Sequence, residues 1–356
     1  MTTYLLAGGG TAGHVNPLLA LADRIKLHEP EAVVIALGTE EGLEARLVPL
    51  RGYELCTVAR LPFPRKLNRY ALEFFSRYSK AVDSIGELIK ARKIDVVVGF
   101  GGYASAPAYD AARKAKIPYV IHEANALPGL ANRRGAKNAV AVAVAFEGTP
   151  LKNATVVGMP LRREIEGLLK GVDKAKAREH FGLDPKTPTL LVTGGSLGAK
   201  RINETIEAAR TVLSAAGIQV LHIMGNRSEL AEVRDSNYVR IAYCDRMELA
   251  ISAADVAISR SGAATVSEFS AIGLPAIYVP YPVGNGEQAL NARSAVAADA
   301  AILVKDAEFT PEFVANTVVP LVSNSKRIAT MSAATSLVAI TDGAERLYRL
   351  VAGLRS

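Results

Sequence analysis

Two doubly wound α/β units, each a parallel sheet with helices on both faces, are the architecture this sequence predicts. Three observations predict it. Strand-sized apolar runs alternate with helical patterns along nearly the whole chain. Several runs are continuous, as in Val96-Val97-Val98 and Tyr119-Val120-Ile121, the pattern of parallel strands buried on both faces. The opening strand runs into a glycine-rich turn and then a helix, and the same start returns at Thr189. Strands are expected near 3–7, 32–37, 95–99, 118–122 and 139–145, then near 189–193, 218–224, 254–259 and 275–279. Gly158-Met159-Pro160 interrupts the pattern and sets the expected division into 1–160 and 161–339. A last helical pattern at about 341–353 fits either unit.

Bulk properties narrow the class. The chain has 356 residues, 49% hydrophobic and 22% charged, enough for two cores and unlike a disordered protein. No apolar run approaches the ~20 residues of a membrane span, and no basic segment precedes the first one, so the expectation is a cytoplasmic protein. Cys56 and Cys244 form neither a disulfide framework nor a metal-ligand pair. Charge is uneven: residues 1–160 hold 20 Lys and Arg against 14 Asp and Glu, a net of +6, while the rest nets +1. That imbalance suits an anionic partner of the first half, or simply a basic solvated face.

In the first half, Gly8-x-Gly10-x-x-Gly13 has the form of a dinucleotide fingerprint. Asn16 reads as a helix cap and Pro17 as a first-turn residue, which puts the helix start at or after Gly13 and lengthens the loop. A glycine loop before a helix N-terminus binds anions. His14 beside it is suited to general-base work or to capping the turn. Val98-Gly99-Phe100-Gly101-Gly102-Tyr103 and Ile121-His122-Glu123-Ala124-Asn125 also end strands in glycines or polar groups. Ligands bind outside the carboxyl ends of parallel strands, so Tyr103, Glu123 and Asn125 are expected to converge on His14.

In the second half, Thr193-Gly194-Gly195-Ser196-Leu197-Gly198 leads into a helix from about Ala199. Ser261 reads as an N-cap that leaves the amides of Gly262 to Ala264 for a phosphate, with Glu268 two turns on for ribose hydroxyls. A polar loop, Val283 to Gln288, suits sugar hydroxyls. The sequence contains no Gly-Lys-Ser/Thr loop, HExxH, Cys pair or Asp-x-Asp, so no metal or other cofactor is expected. A nucleotide diphosphate would then be neutralised by helix dipoles and by Arg162. Residues 61–80 mix Phe63, Phe74, Phe75 and Tyr78 with Arg65, Lys66, Arg69, Arg77 and Lys80. Part of this stretch is expected to be core and the rest to meet an anionic membrane surface. Nucleic acid is not expected, because no binding motif accompanies the charge.

These motifs occur in an order that resembles the MurG family. They are Gly9 to Pro17, Gly101-Gly102-Tyr103, His122 to Asn125, Gly194 to Ala199, Arg260 to Glu268, Glu287-Gln288 and Asn291-Ala292. The family comprises bacterial glycosyltransferases that move N-acetylglucosamine from UDP onto lipid I, the undecaprenyl-diphosphate-linked MurNAc-pentapeptide, giving lipid II for peptidoglycan. The resemblance implies a GT-B fold, two Rossmann-like domains facing a cleft, with the helix at about 340–356 returning to the first domain. It implies a peripheral enzyme on the cytoplasmic face of the cell membrane. Glu268 would hold the ribose, with Ser196, Arg162 and the Ser261-Gly262 helix end near the diphosphate. The backbone from Cys244 to Met247 would meet the uracil. Ala263, Ala264, Thr265 and one of Glu287 and Gln288 would line the sugar, reached also by Asn125 and by Thr11, Ala12 and Gly13. Gly9, Gly10, Thr11, Gly101, Gly102, Tyr103 and Glu123 would face the acceptor, and His14 would take its hydroxyl proton, with inversion at the anomeric carbon.

Overall fold

The computed structural model describes residues 1–64, 69–195 and 197–355, so Arg65, Lys66 and Ser196 lie outside the described residues. The chain divides into two compact units, Met1–Arg162 with Thr341–Ser356, and Arg163–Ile340.

The first unit holds β1 (Thr3–Ala7), β2 (Val33–Gly38), β3 (Glu54–Thr57), β4 (Val96–Gly99), β5 (Tyr119–Glu123), β6 (Ala141–Val144) and β7 (Ala154–Val156). They form one seven-stranded sheet in the order β3-β2-β1-β4-β5-β6-β7, and every pairing is parallel. Alternation along β1 feeds two cores. Tyr4 and Leu6 pack with α1 (Ala12–His28) through Leu18, Leu21 and Ile25. Leu5 and Ala7 pack on the other face with α3 (Arg69–Arg92) and α4 (Ser105–Ala115) through Val82, Ile85, Ala108 and Ala112. A further helix, α2 (Glu44–Leu50), follows β2. The helix Gly343–Ala352 belongs to this unit: Leu347 and Val351 are buried in the α1 core, and His28 stacks on Tyr348 while its Nε2 meets Glu345 at 2.8 Å.

The second unit holds β8 (Thr189–Thr193), β9 (Gln219–Ile223), β10 (Val233–Asp235), β11 (Tyr238–Ile241), β12 (Val256–Ser259), β13 (Ala276–Tyr278) and β14 (Ala301–Leu303). Their order is β10-β11-β9-β8-β12-β13-β14. Only the β10–β11 pairing is antiparallel. The two sheets share a device at their centres. The Thr3 amide donates to Asp95 Oδ2 at 2.8 Å, and the Thr189 amide donates to Asp255 Oδ2 at 2.8 Å. Each aspartate thus ties the start of the first strand of its unit to the strand beside it.

That neighbouring strand is reached only after the chain has gone out to the sheet edge and returned. The topological switch therefore lies between β1 and β4 in one unit and between β8 and β12 in the other. Register aligns Ala7 with Gly99 and Thr193 with Ser259, so in each unit two loops leave the sheet side by side.

Two expected helix starts are corrected. The first helix begins at Ala12, not at or after Gly13, and Asn16 and Pro17 lie inside it. Its opening turn closes on the Thr11 carbonyl, which accepts from the amides of His14 and Val15 at 3.1 Å each, and the helix tolerates the one bond that Pro17 cannot donate. Ser261 caps nothing: Gly262 is the N-cap of the helix Ala263–Ala271, and the Ser261 hydroxyl is buried without a hydrogen-bond partner among the described residues.

Candidate active site

In the first unit the loops after β1 and β4 meet around His14. Its Nδ1 lies 3.0 Å from the Gly9 carbonyl and 3.3 Å from Thr11 Oγ1. A carbonyl can only accept, so Nδ1 carries a proton, and in the neutral form of the ring the lone pair is at Nε2. Gly101 sits against that atom. Its φ is +93°, and a Cβ there would lie 3.0 Å from Nε2, so glycine both fits the backbone and leaves the nitrogen approachable. Gly102, at φ +82°, packs on the Gly9 backbone where any side chain would collide. Ser105 Oγ accepts from the Gly101 amide at 3.0 Å and lies 2.8 Å from the Ala7 carbonyl, which fixes the β4 loop to the end of β1.

Tyr103 lies over Gly10, with Arg60 4.9 Å above its ring. Glu123 turns inward. One carboxylate oxygen accepts from the Asn125 amide at 2.9 Å, the other from Gly129 N at 3.1 Å and Asn132 Nδ2 at 2.9 Å. It therefore shapes the loop that presents Asn125. Arg162 ends this unit, half-buried.

In the second unit the loops after β8 and β12 border an open cleft of about 670 Å³. Gly194, Gly195, Gly262, Thr265 and Gln288 line it, together with the cations Lys200, Arg201 and Arg260. Arg260 Nη1 donates to the carbonyls of Val279 and Pro280 at 3.0 Å each and to Asp306 Oδ1 at 2.5 Å. Those three anchors fix the guanidinium beside the N-terminus of the helix Ala263–Ala271, a position suited to an anion. Gln288 Oε1 accepts from the Tyr281 amide at 3.0 Å, whereas Glu287 turns back towards Gly284 and is not in the lining. Glu268, Cys244, Met247, Ala263 and Ala264 lie outside the lining, and Glu268 is buried rather than solvated. Burial pushes the Cys244 thiol up to about 11, so it is not a ready nucleophile.

The glycosyltransferase family 28 N-terminal domain matches residues 4–144, and the family 28 C-terminal domain matches residues 189–347. A transferase from Leifsonia xyli subsp. xyli is 56% identical over 351 residues, 99% of this chain and 98% of its own length. One from Clavibacter sepedonicus is 55% identical over 352 residues, 99% and 96% of the two chains. Both are named UDP-N-acetylglucosamine--N-acetylmuramyl-(pentapeptide) pyrophosphoryl-undecaprenol N-acetylglucosamine transferase. The chain belongs to the MurG family. The crystal structure of Acinetobacter baumannii MurG superposes with a TM-score of 0.78 at 27% identity, covering 99% of this chain and all of that one. The protein is therefore a glycosyltransferase with two Rossmann-like domains, as the ordered motifs implied.

Sequence reasoning missed four residues of these sites. Lys200, Arg201 and Arg260 stand directly beside the glycine turns, and that adjacency was the available signal. Glu44, which accepts from the Gly10 amide at 2.8 Å, had none, because its partners are two backbone amides and a single threonine hydroxyl. Among the described residues no helix is long and apolar enough to cross a membrane.

Proposed function

We propose that this protein moves N-acetylglucosamine from UDP onto the MurNAc 4-hydroxyl of lipid I, forming lipid II, at the cytoplasmic face of the cell membrane. The observation that carries the reading is 56% identity, over 99% of the chain, to a transferase of that name. The second unit takes the donor. Its diphosphate meets Arg260, Lys200, Arg201 and the amides at Ala263 to Thr265. Glu268 holds the ribose, the Cys244–Met247 backbone meets the uracil, and Thr265 and Gln288 meet the sugar. The first unit takes the acceptor diphosphate at its glycine loops, Gly9 to Gly13, Gly101 and Gly102.

In the reaction the acceptor oxygen forms its bond to the anomeric carbon as the bond from that carbon to the UDP oxygen breaks. The proton passes to His14 Nε2, and the electron pair leaves with UDP. Charge grows on UDP in the transition state, so fixed cations and helix amides stabilise that state more than the ground state.

Membrane attachment is assigned to α3 and the segment before it. Phe63, Leu72 and Phe75 are 62%, 83% and 71% exposed, and Arg69, Arg77 and Lys80 are exposed on the same helix as the last two. Apolar side chains at the headgroup level with cations beside them suit an anionic bilayer. A melting comparison separates this reading from a dinucleotide-dependent oxidoreductase: UDP raises the melting temperature and NAD does not. Stabilisation by NAD alone would reverse the assignment.

A further inference from the structure

We propose that Glu44 is a positioning residue for His14, acting through the single peptide group that joins Gly9 to Gly10. This rests on the reading of His14 as the base. The two ends of that peptide are both held. Its oxygen accepts from His14 Nδ1 at 3.0 Å, and its N–H donates to Glu44 Oε2 at 2.8 Å. Carboxylate, peptide and imidazole thus form one hydrogen-bonded chain, with a peptide standing between the acid and the ring.

The surroundings are built to seat a charged carboxylate there. Glu44 is fully buried. Its Oε1 accepts from the Thr39 amide and from Thr39 Oγ1, both at 2.8 Å, and no cation among the described residues pairs with it. Burial alone would raise its pKa, but the bonds from Gly10, from its own amide and from Thr39 outweigh that and leave it below the usual carboxylate value. Three glycines from separate segments, Gly9, Gly38 and Gly42, make the seat: a Cβ at any of them would strike the Glu44 side chain. A group so enclosed touches neither solvent nor ligand, which leaves the Gly9–Gly10 peptide as its route to the site.

Two effects follow. Anchored at both ends, the peptide between two glycines cannot rotate, so the Gly9 oxygen stays aimed at Nδ1 and the ring keeps its lone pair on Nε2. The carboxylate also polarises the peptide, placing more negative charge on the oxygen that faces Nδ1–H as the imidazolium forms.

The test is Glu44→Gln in the full chain, which keeps the shape, removes the charge and sets an NH2 against a donor. The expected result is kcat lowered about 10- to 100-fold, the range typical of residues that orient an active group, with KM for UDP-N-acetylglucosamine unchanged within about two-fold. Ring ¹⁵N spectra, with His14 identified by its loss in His14→Gln, should show the Nδ1–H tautomer in the native protein and a shift towards Nε2–H in Glu44→Gln. Native kcat together with a native tautomer in Glu44→Gln would overturn the proposal. Should that variant fail to fold, the native protein decides. A Gly10 amide proton shifted downfield, as for a bond to a carboxylate, supports the coupling, and its absence or an Nε2–H tautomer overturns it. Failure of the base reading looks different: His14→Ala would then turn over at the native rate, while the tautomer shift in Glu44→Gln would persist.

Discussion

His14 and Arg260 are held in opposite ways, and each suggests its own measurement. His14 is held through Nδ1 by the Gly9 carbonyl and Thr11 Oγ1, a placement that suits the proposed base. His14→Ala should lower transfer about 10²- to 10⁴-fold, the usual worth of a general base, and leave UDP affinity by calorimetry within about two-fold. Arg260 meets its three protein acceptors through Nη1 alone, and a guanidinium has further N–H donors on Nε and Nη2 that a lysine lacks. Arg260→Lys should weaken UDP binding about ten-fold, the scale of one lost charge-assisted bond; unchanged affinity would remove it from the phosphate site. At this scale the sequence displayed the residues that follow glycine turns, because chemistry at the end of a parallel strand needs both. It hid Glu44, whose bonds to Gly10 and Thr39 leave no pattern of side chains to read.

Elements were legible where they are long or central. The runs near 3–7 and 189–193 are buried along their whole length in β1 and β8, so no alternation obscures them. The outer strands β3, β7, β10 and β14 were not foreseen, because edge strands are short and of mixed polarity, as Val233-Arg234-Asp235 shows. β11 was missed for a related reason: Arg240 interrupts Tyr238-Val239-Arg240-Ile241, although it is buried there against Glu207. The first helix was placed late because Pro17 looked like a start, whereas closure on Thr11 sets it. For α3, each cation near an anionic surface contributes about 1 kcal/mol. Replacing Arg69, Arg77 and Lys80 by glutamine should therefore weaken vesicle binding about 100-fold, and Phe75→Ser with Leu72→Ser should weaken it further. Sedimentation with anionic vesicles reads both; unchanged binding would move the contact elsewhere.

Across the whole molecule, the same construction appears twice, an aspartate tying two central strands whose loops open beside the switch point. Each unit also buries a neutral histidine. Burial holds His122 at about 4 and, aided by Arg240, His222 at about 3, against an ordinary 6.5. Both folded values are depressed, so this contribution to stability is complete above pH 6.5 and is lost as pH falls towards 4 and 3. By pH 5 each unit should have lost about 2 kcal/mol from this source, seen in urea unfolding at pH 7.5 and 5, and His222→Gln should flatten the second unit's dependence. Inverting transfer with His14 as the base is decided by a single assay. The purified chain would be incubated with UDP-N-acetylglucosamine labelled in the sugar and a short-chain lipid I analogue, and the products separated. The expected product is a β-linked disaccharide on the lipid, formed one for one with UDP and lost in His14→Ala. Labelled sugar that stays on UDP in the presence of the acceptor, or a product of retained anomeric configuration, would contradict it.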